Sequence, residues 1–551
     1  MGGQRCTARS SAARSRRIRA CLEADPEWTD GTFSQWDGPH AQVPAFDQVR
    51  LTKVLVANRG EIAVRVIRAC RDAGLRSVAV YSEADRDALH VRLADEAYPI
   101  GPAPATQSYL RGDKLIAVAR AAGCDAVHPG YGFLSENAGF AEAVATAGLV
   151  FVGPPAAVQR RLGDKIAARR LARDAGVPVV RGTFEPVADL DAARGAAEQI
   201  GYPLILKPAG GGGGKGMRIV ATAAGLADAW RGATGEAQSA LGAPAAFVVE
   251  RFVGAARHVE VQFVADDHGA VVPLGERDCS IQRRHQKLIE ETPGPSVDET
   301  LREGLFDAAV RVARAAGYRN AGTAEFLVAP DGSFTFLEVN TRLQVEHPIT
   351  ELMTGIDLVQ LQLRLAAGEP LPFARVDLRA HGAAIECRLT AEDPFAGFLP
   401  AAGTITVVRE ASGPGVRLDG ALVPGMVVAT EYDPLLAKLV CWGVDRPAAL
   451  ARMRRALGEM VIGGIPTTLP FHRATLDEPD FIAGRYDTGY ITAHWPRETV
   501  LGEEAAVAAA IVAVLVSRSA ASGVPSTTNP TTTDPAVPGA WARAGRHEGL
   551  R

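Results

Sequence analysis

The sequence offers no paired cysteines. Its seven (Cys6, Cys21, Cys70, Cys124, Cys279, Cys387, Cys441) are scattered, and none stands in a Cys-x-x-Cys pair. That argues against a zinc site and a disulfide framework, and it fits a reducing compartment. No apolar run is long enough to cross a bilayer; the longest, residues 505–516, reads as an ordinary helix. Nor is there an excess of basic residues: a formal net charge of -4 carries no general affinity for nucleic acid. With 47% hydrophobic and 22% charged residues in 551 positions, what remains is a globular chain with room for roughly three or four domains.

Two nucleotide-binding fingerprints are missing as well. Lys53-Val-Leu-Val-Ala57 is an apolar run suited to a buried parallel strand. Ile62, Val66, Ala69 and Cys70 then recur at helical spacing until Gly74 ends the helix. Ser77-Val-Ala-Val-Tyr81, Ala126-Val-His128 and Val150-Phe-Val-Gly153 continue the rhythm, which predicts a doubly wound parallel sheet with functional loops at strand C-termini. Yet the turn after the first strand is Asn58-Arg-Gly-Glu61, not Gly-x-Gly-x-x-Gly, so no dinucleotide site is expected there. Further on, strands at residues 204–207 and 217–220 frame Gly210-Gly-Gly-Gly-Gly-Lys-Gly216. A Walker loop would need Ser or Thr where Gly216 or Met217 stands. Five consecutive glycines with lysines at both borders still bring many N–H groups to a phosphate chain, and they can hinge a lid.

What is present centres on Phe334-Thr-Phe-Leu-Glu-Val-Asn-Thr-Arg-Leu-Gln-Val-Glu-His347. Alternation puts Phe334, Phe336, Glu338 and Asn340 on one strand face, so a carboxylate and an amide share a face with two phenylalanines. Thr323-Ala-Glu-Phe-Leu-Val328 and the turn Pro330-Asp-Gly332 make this a hairpin, with Glu325 roughly across from Glu338. Two carboxylates and an amide oxygen suit a hard cation such as magnesium, the partner of nucleotide phosphates.

Other stretches are less decisive. His128-Pro-Gly-Tyr-Gly-Phe-Leu-Ser-Glu-Asn137 precedes a helix with Ser135 as its cap, and either lines a site or is a structural crossover. Residues 247–253 read as a strand, and the alternation from His258 to Val264 as a half-buried one. The charge-dense residues 275–290 are either a solvated helix face or a site for an anionic substrate.

Together these stretches resemble biotin carboxylase, the ATP-grasp component of biotin-dependent carboxylases, from near Leu51 to about Pro496. The resemblance is carried by Asn58-Arg-Gly-Glu61, the His128–Asn137 loop, the glycine run, Glu276-Arg-Asp-Cys-Ser-Ile-Gln-Arg-Arg-His-Gln-Lys287, Glu338 to His347, and Ala384-Ile-Glu-Cys-Arg-Leu389. It implies an α/β fold: a doubly wound N-terminal domain (residues 51–152), a linker (153–179), a mobile glycine-rich lid (180–252), and the remaining ATP-grasp part with an α+β C-terminal domain (253–496). Roles follow from it position by position. Lys165 and Lys207 would hold ATP phosphates, with lid amides from Gly213 and Gly214. Glu250, Arg251 and Val253 would form the adenine hinge, with His258, Gln282 and His285 as further nucleotide contacts. Arg251 departs from the family, where many members carry Lys. Glu325, Glu338 and Asn340 would bind magnesium or manganese. Lys287, Arg342, Gln344 and Val345 would make the bicarbonate pocket, Glu346 the general base, and Arg388 the group facing the biotin enolate.

The resemblance also implies the first half-reaction of an acyl-CoA carboxylase α subunit, a homodimer, and a carboxyltransferase partner. No Met-Lys-Met occurs and no lysine follows Lys438, so biotin is expected on a separate carrier protein or domain. Residues 1–50 read as an extension or disorder. The first 20 are Arg-rich and acid-free, which leaves a mitochondrial transit peptide open beside a cytoplasmic location. Residues 497–551 read as a helix and a Ser/Thr/Pro-rich tail. Two rivals stand against this reading: another ATP-grasp ligase, such as a carbamoyl-phosphate or amino-acid ligase, and a non-catalytic scaffold.

Overall fold

A computed structural model describes residues 50–208, 217–241, 246–378 and 380–495. The expected N-terminal extension up to residue 49, the glycine run with Gly213 and Gly214, and the helix and tail expected after residue 496 lie outside these residues.

The apolar runs form the parallel sheet that their rhythm predicts. β1 (Lys53–Val56), β2 (Arg76–Ser82), β3 (Glu96–Gly101), β4 (Ala126–His128) and β5 (Val150–Phe151) line up in the order β3-β2-β1-β4-β5, all neighbours parallel. The winding reverses between β1 and β4, so the loops leaving these two strands open a crevice. Those loops are Asn58-Arg-Gly-Glu61 and His128–Asn137. The helix Gly60–Asp72 buries Ile62, Val66, Ala69 and Cys70, as their spacing requires. The helix Ala138–Thr146 is capped by Asn137, whose side chain accepts from the Phe140 amide, and not by Ser135. Ser135 stands two positions too early for its hydroxyl to serve the first turn, and it is buried in the loop instead.

A small antiparallel sheet follows, in the order β7-β6-β8: β6 (Leu204–Pro208), β7 (Arg218–Val220) and β8 (Phe247–Arg251). Leu204, Leu206, Val220, Phe247 and Val249 pack there against Ala193, Ala197 and Trp230 from two helices.

The rest is built on one eight-stranded antiparallel sheet. Its strands are β9 (Arg257–Ala265), β10 (Val271–Arg283), β11 (Gln286–Thr292), β12 (Asn320–Val328), β13 (Phe334–Asn340), β14 (Ala383–Thr390), β15 (Val416–Gly420) and β16 (Leu435–Gly443). They lie in the order β13-β12-β9-β10-β11-β14-β16-β15. The charge-dense stretch is therefore a strand pair, not a helix face. It turns at Arg284 and His285, both in the left-handed region with φ of 49° and 65°. β9 departs from its half-buried reading too: His258 to Ala265 are all buried, because β10 and β12 flank the strand and other elements cover both of its faces.

The hairpin β12–β13 forms with Glu325 opposite Glu338. The face assignment changes, however. The register jumps from Glu325↔Glu338 to Phe326↔Phe336, which leaves Leu337 as an extra residue in a β-bulge. The bulge re-phases the strand. Phe334 and Phe336 turn to the core with Phe326 and Val328, while Glu338 and Asn340 share the opposite face with Glu325 and Thr323. The carboxylate and the phenylalanines never share a face. Among the described residues, no helix is long and apolar enough to cross a membrane.

Candidate active site

A cleft of ≈ 2150 Å³ runs between the parallel sheet, the small sheet and the large one. Asn58, Glu61, Tyr131 and Glu136 line it from the two crevice loops, so the His128–Asn137 loop is part of a site wall. Lys165, Lys207, Glu250, Arg251, Val253, His258, Gln282, His285, Lys287, Glu325, Glu338, Asn340, Arg342, Gln344, Val345 and Arg388 line it as well. Of the sequence-predicted residues within the described part, Glu346 lies behind this lining, fully buried.

At one end, antiparallel β6 and β8 bring Lys207 to Glu250, Nζ to Oε2 at 2.5 Å. Arg169 reaches the other oxygen of Glu250 at 3.1 Å. Burial would raise the pKa of Glu250, but Lys207 and Arg169 hold it below the ordinary carboxylate range. Lys165 opens the helix Lys165–Asp174, whose first amides are capped by Asp164. Arg251 donates to the Tyr202 carbonyl. Gln282 donates to the Cys279 carbonyl at 3.2 Å and lies 3.5 Å from His258 Nδ1. The pKa of His285 is lowered by burial and then by Lys207.

In the middle stands the acidic hairpin. Asn340 donates to Glu325 Oε1 at 2.8 Å, and Gln344 reaches the same oxygen at 3.2 Å. His258 Nε2 lies 3.2 Å from Glu325 Oε2. Burial alone would raise the pKa of Glu325; Lys287 and His258 bring it far below the ordinary range instead. Glu338 is the opposite case. Its carboxylate makes no hydrogen bond or ion pair among the described residues, and burial followed by the charge of Glu325 pushes its pKa up. A pair of carboxylates with one left unpartnered, beside an amide oxygen, fits a divalent cation with oxygen preference.

At the far end, the turn into the helix His347–Thr354 delivers Glu346 to a cluster of cations. Lys287 Nζ lies 2.6 Å from Glu346 Oε1, and Arg388 Nη2 lies 2.8 Å from Oε2. Burial opposes its charge, yet Lys287, Arg388 and then Arg277 hold Glu346 well below the ordinary range. Lys287 also bridges Glu260 at 2.5 Å and Glu325 at 3.0 Å, which keeps it charged despite burial. Arg342 donates to Gln344 at 2.8 Å and Asn340 at 2.9 Å, and its Nε meets Glu136 at 3.0 Å. All three of its guanidinium nitrogens are thereby held by neighbouring groups.

Several site residues escaped the sequence reading. Glu260 neutralises Lys287 and pairs with Arg277 at 2.6 Å, both groups fully buried. Glu290 holds Arg388 Nε at 2.5 Å. Period-two counting from His258 would have flagged Glu260, which lies directly across from Glu325. Glu136 is the charged residue of the His128–Asn137 loop, one of whose two readings was a site wall, whereas Glu290 gave no comparable local signal.

The chain matches three domain families: "Biotin carboxylase, N-terminal domain" over residues 50–158, "Carbamoyl-phosphate synthase L chain, ATP binding domain" over 164–374, and "Biotin carboxylase C-terminal domain" over 386–493. It is 47% identical over 442 residues to Biotin carboxylase 1 of Bacillus subtilis, covering 80% of this chain and 98% of that one. It is 46% identical over 487 residues to the propionyl-CoA carboxylase alpha chain of Ruegeria pomeroyi, covering 83% and 71%. Among solved structures, the biotin carboxylase–β-γ-ATP complex from Campylobacter jejuni superposes with a TM-score of 0.78 at 44% identity, covering 81% of this chain and 99% of that one. The biotin carboxylase domain dimer of Hydrogenobacter thermophilus 2-oxoglutarate carboxylase, solved with MgADP, ADP and bicarbonate, gives 0.78 at 42%, covering 81% and 98%.

Proposed function

The chain belongs to the biotin carboxylase family, and from that premise we propose that it uses ATP and bicarbonate to carboxylate biotin on a carrier protein, as the first half-reaction of an acyl-CoA carboxylase. It is an ATP-dependent ligase. The observation that carries the reading is Glu346, a buried carboxylate gripped by Lys287 and Arg388 one loop away from an acidic hairpin. Four parts divide the work: the parallel-sheet domain (51–152), the linker (153–179), the small-sheet lid (180–252), and the remaining ATP-grasp and C-terminal part (253–496). The family match over residues 50–158 supports a separate N-terminal part.

Lys165 and Lys207 hold ATP phosphates, and Glu250, Arg251 and Val253 form the edge for adenine. Lys207 leaves its ion pair with Glu250 when the phosphates arrive. Glu325, Glu338 and Asn340 would hold magnesium, with manganese as an alternative, and the bound ion would supply neutralisation of phosphate charge. Bicarbonate lies against Arg342, Lys287 and the Gln344–Val345 turn. Glu346 takes its proton, and the freed oxygen attacks the γ-phosphorus, with ADP leaving. In the resting site Lys287 and Arg388 suppress the basicity of Glu346. A bound anion that shares these cations relieves that suppression, so the base is released by its own substrate. Carboxyphosphate then separates into carbon dioxide and phosphate, the phosphate takes the ureido N–H proton, and the biotin nitrogen bonds to carbon dioxide. Arg388 stabilises the charge on the ureido oxygen, a contribution of about 3–4 kcal/mol for comparable donors.

The partners in this reading are a biotin carrier, a carboxyltransferase subunit and a second copy of the chain. The cysteines within the described residues are all buried and unpaired, which supports a reducing compartment, the cytoplasm in this reading. The test is ATP hydrolysis with and without bicarbonate and free biotin. Stimulation by both is expected. Stimulation by an amine instead would move the assignment to a different ATP-grasp ligase, and silence would leave a scaffold.

A further inference from the structure

Lys438 sits on β16, directly across from Arg388 on β14 and Asp419 on β15, and its side chain is 0% exposed. Its ammonium meets loops from two different sheets. Nζ donates to the Val345 carbonyl at 3.0 Å and lies 3.2 Å from Glu61 Oε2, 3.9 Å from Asp419 Oδ2 and 5.7 Å from the centre of the Tyr131 ring. Glu61 belongs to the turn after β1 and Tyr131 to the loop after β4, whereas Val345 immediately precedes Glu346. One buried charge thus touches both crevice loops and the peptide that carries the base.

We propose that Lys438 is a positioning residue for the anion-binding loop: its hydrogen bond to the Val345 carbonyl fixes the 345–346 peptide and with it the approach of Glu346, while Glu61 and Asp419 serve as counter-ions. A buried ion pair is often no more stable than an apolar filling of the same space, so stability alone does not call for an ammonium here. A carbonyl with no other partner among the described residues does call for a donor, and a lysine on β16 of the same large sheet supplies one. The Tyr131 face on the ammonium extends the same anchor to the His128–Asn137 loop. This gives Asn58-Arg-Gly-Glu61 and the Tyr131 loop a role that nucleotide, metal and anion binding leave unassigned.

The inference rests on bicarbonate as the loop's ligand, so its test has one arm that uses no turnover. Three variants are compared with the wild type: Lys438→Met, Glu61→Gln, and the two combined. Lys438→Met leaves Glu61 buried with its nearest cation gone, and a lowered Tm is expected; the combined variant is expected to recover much of it. The bicarbonate KM of the combined variant is expected to stay raised by roughly tenfold or more, with the ATP KM within about twofold of wild type. Glu61→Gln alone keeps the Lys438–Val345 contact and is expected to raise the bicarbonate KM far less than the combined variant. Hydrogen exchange of the amides in residues 343–347 is expected to quicken in both Lys438→Met proteins and not in Glu61→Gln. Recovery of the bicarbonate KM together with Tm in the combined variant would overturn the proposal and reduce Lys438 to a counter-ion. Unchanged exchange at residues 343–347 would overturn it too. A wild type whose ATP cleavage ignores bicarbonate would overturn the functional reading instead, with the exchange arm still deciding the anchor.

Discussion

Glu338 and Glu346 stand on the same side of one large sheet, and they are built in opposite ways. Glu338 is half-buried beside a second carboxylate, has no partner among the described residues, and has its pKa pushed up by burial and by Glu325. Glu346 is wholly buried, touches an ammonium and a guanidinium, and is held well below the ordinary range. The contrast separates two uses of an acid. In the proposed function, the carboxylate left in repulsion is completed by a cation from outside, and the one already saturated by internal cations accepts a proton only when another anion draws those cations away. Burial is common to both, so it is the neighbours that decide.

The largest way to break this comparison is to remove the saturated acid. Glu346→Gln should lower bicarbonate-dependent ATP cleavage by about 10²–10⁴, with nucleotide binding retained, as read by steady-state turnover and calorimetric titration of ADP. Turnover near wild type would show that the cations surround a structural acid and not a base. Next in size is Arg388→Ala. Biotin carboxylation should fall by about 10²–10³, while bicarbonate-dependent ATP cleavage falls less. Equal losses in the two assays would place Arg388 with Glu346 and Glu290 as part of the ion cluster only.

How much of this was legible in the sequence depends on distance along the chain. The parallel sheet was readable, because each strand and helix declares itself within about ten residues through its own apolar period. The hairpin and its Glu325–Glu338 register were readable for the same reason. The bulge at Leu337 was not: alternation counting assumes an unbroken ladder, and one extra residue reverses every side chain beyond it. The cap at Asn137 was missed by two positions. The strands of residues 271–292 were hidden by their charge, since a local pattern cannot show that Arg277 finds Glu260 on β9, or that Glu346, 59 positions beyond Lys287, closes on it. For such long-range pairs the reading leaned on family resemblance. Of the two acids that balance the cations, Glu260 was reachable by period-two counting from His258, whereas Glu290 had no local signal.

A smaller effect sharpens the other half of the comparison. Glu338→Gln removes one of two repelling charges, so the metal-free protein should gain stability at neutral pH. The same change should weaken magnesium binding by at least roughly tenfold. Thermal unfolding with and without Mg2+ checks both. The wild type should gain Tm on adding metal, by mass action, and the variant should gain less. A variant that starts lower in Tm without metal would show that Glu338 is satisfied by the protein itself.

The smallest effect concerns an acid between the two extremes. Glu61 has a cation at 3.2 Å, like Glu346, yet its pKa is pushed up to about 7, like that of an unpartnered group. Burial is the larger influence, and Lys438 offsets it only in part, because that one ammonium also serves the Val345 carbonyl and lies near Asp419. With a folded value near 7 and an unfolded value of about 4.3, the folded chain holds this proton more tightly. The stability Glu61 contributes is therefore full below pH ~4.3 and is lost as pH rises through about 7. In Glu61→Gln that slope disappears. The stability difference between wild type and variant should shift against the wild type by about 3 kcal/mol between pH ~4 and ~8, read from urea midpoints at each pH. A constant difference would mean that one shared ammonium is enough to keep a buried acid ionised, and that the three cations around Glu346 serve something other than its charge.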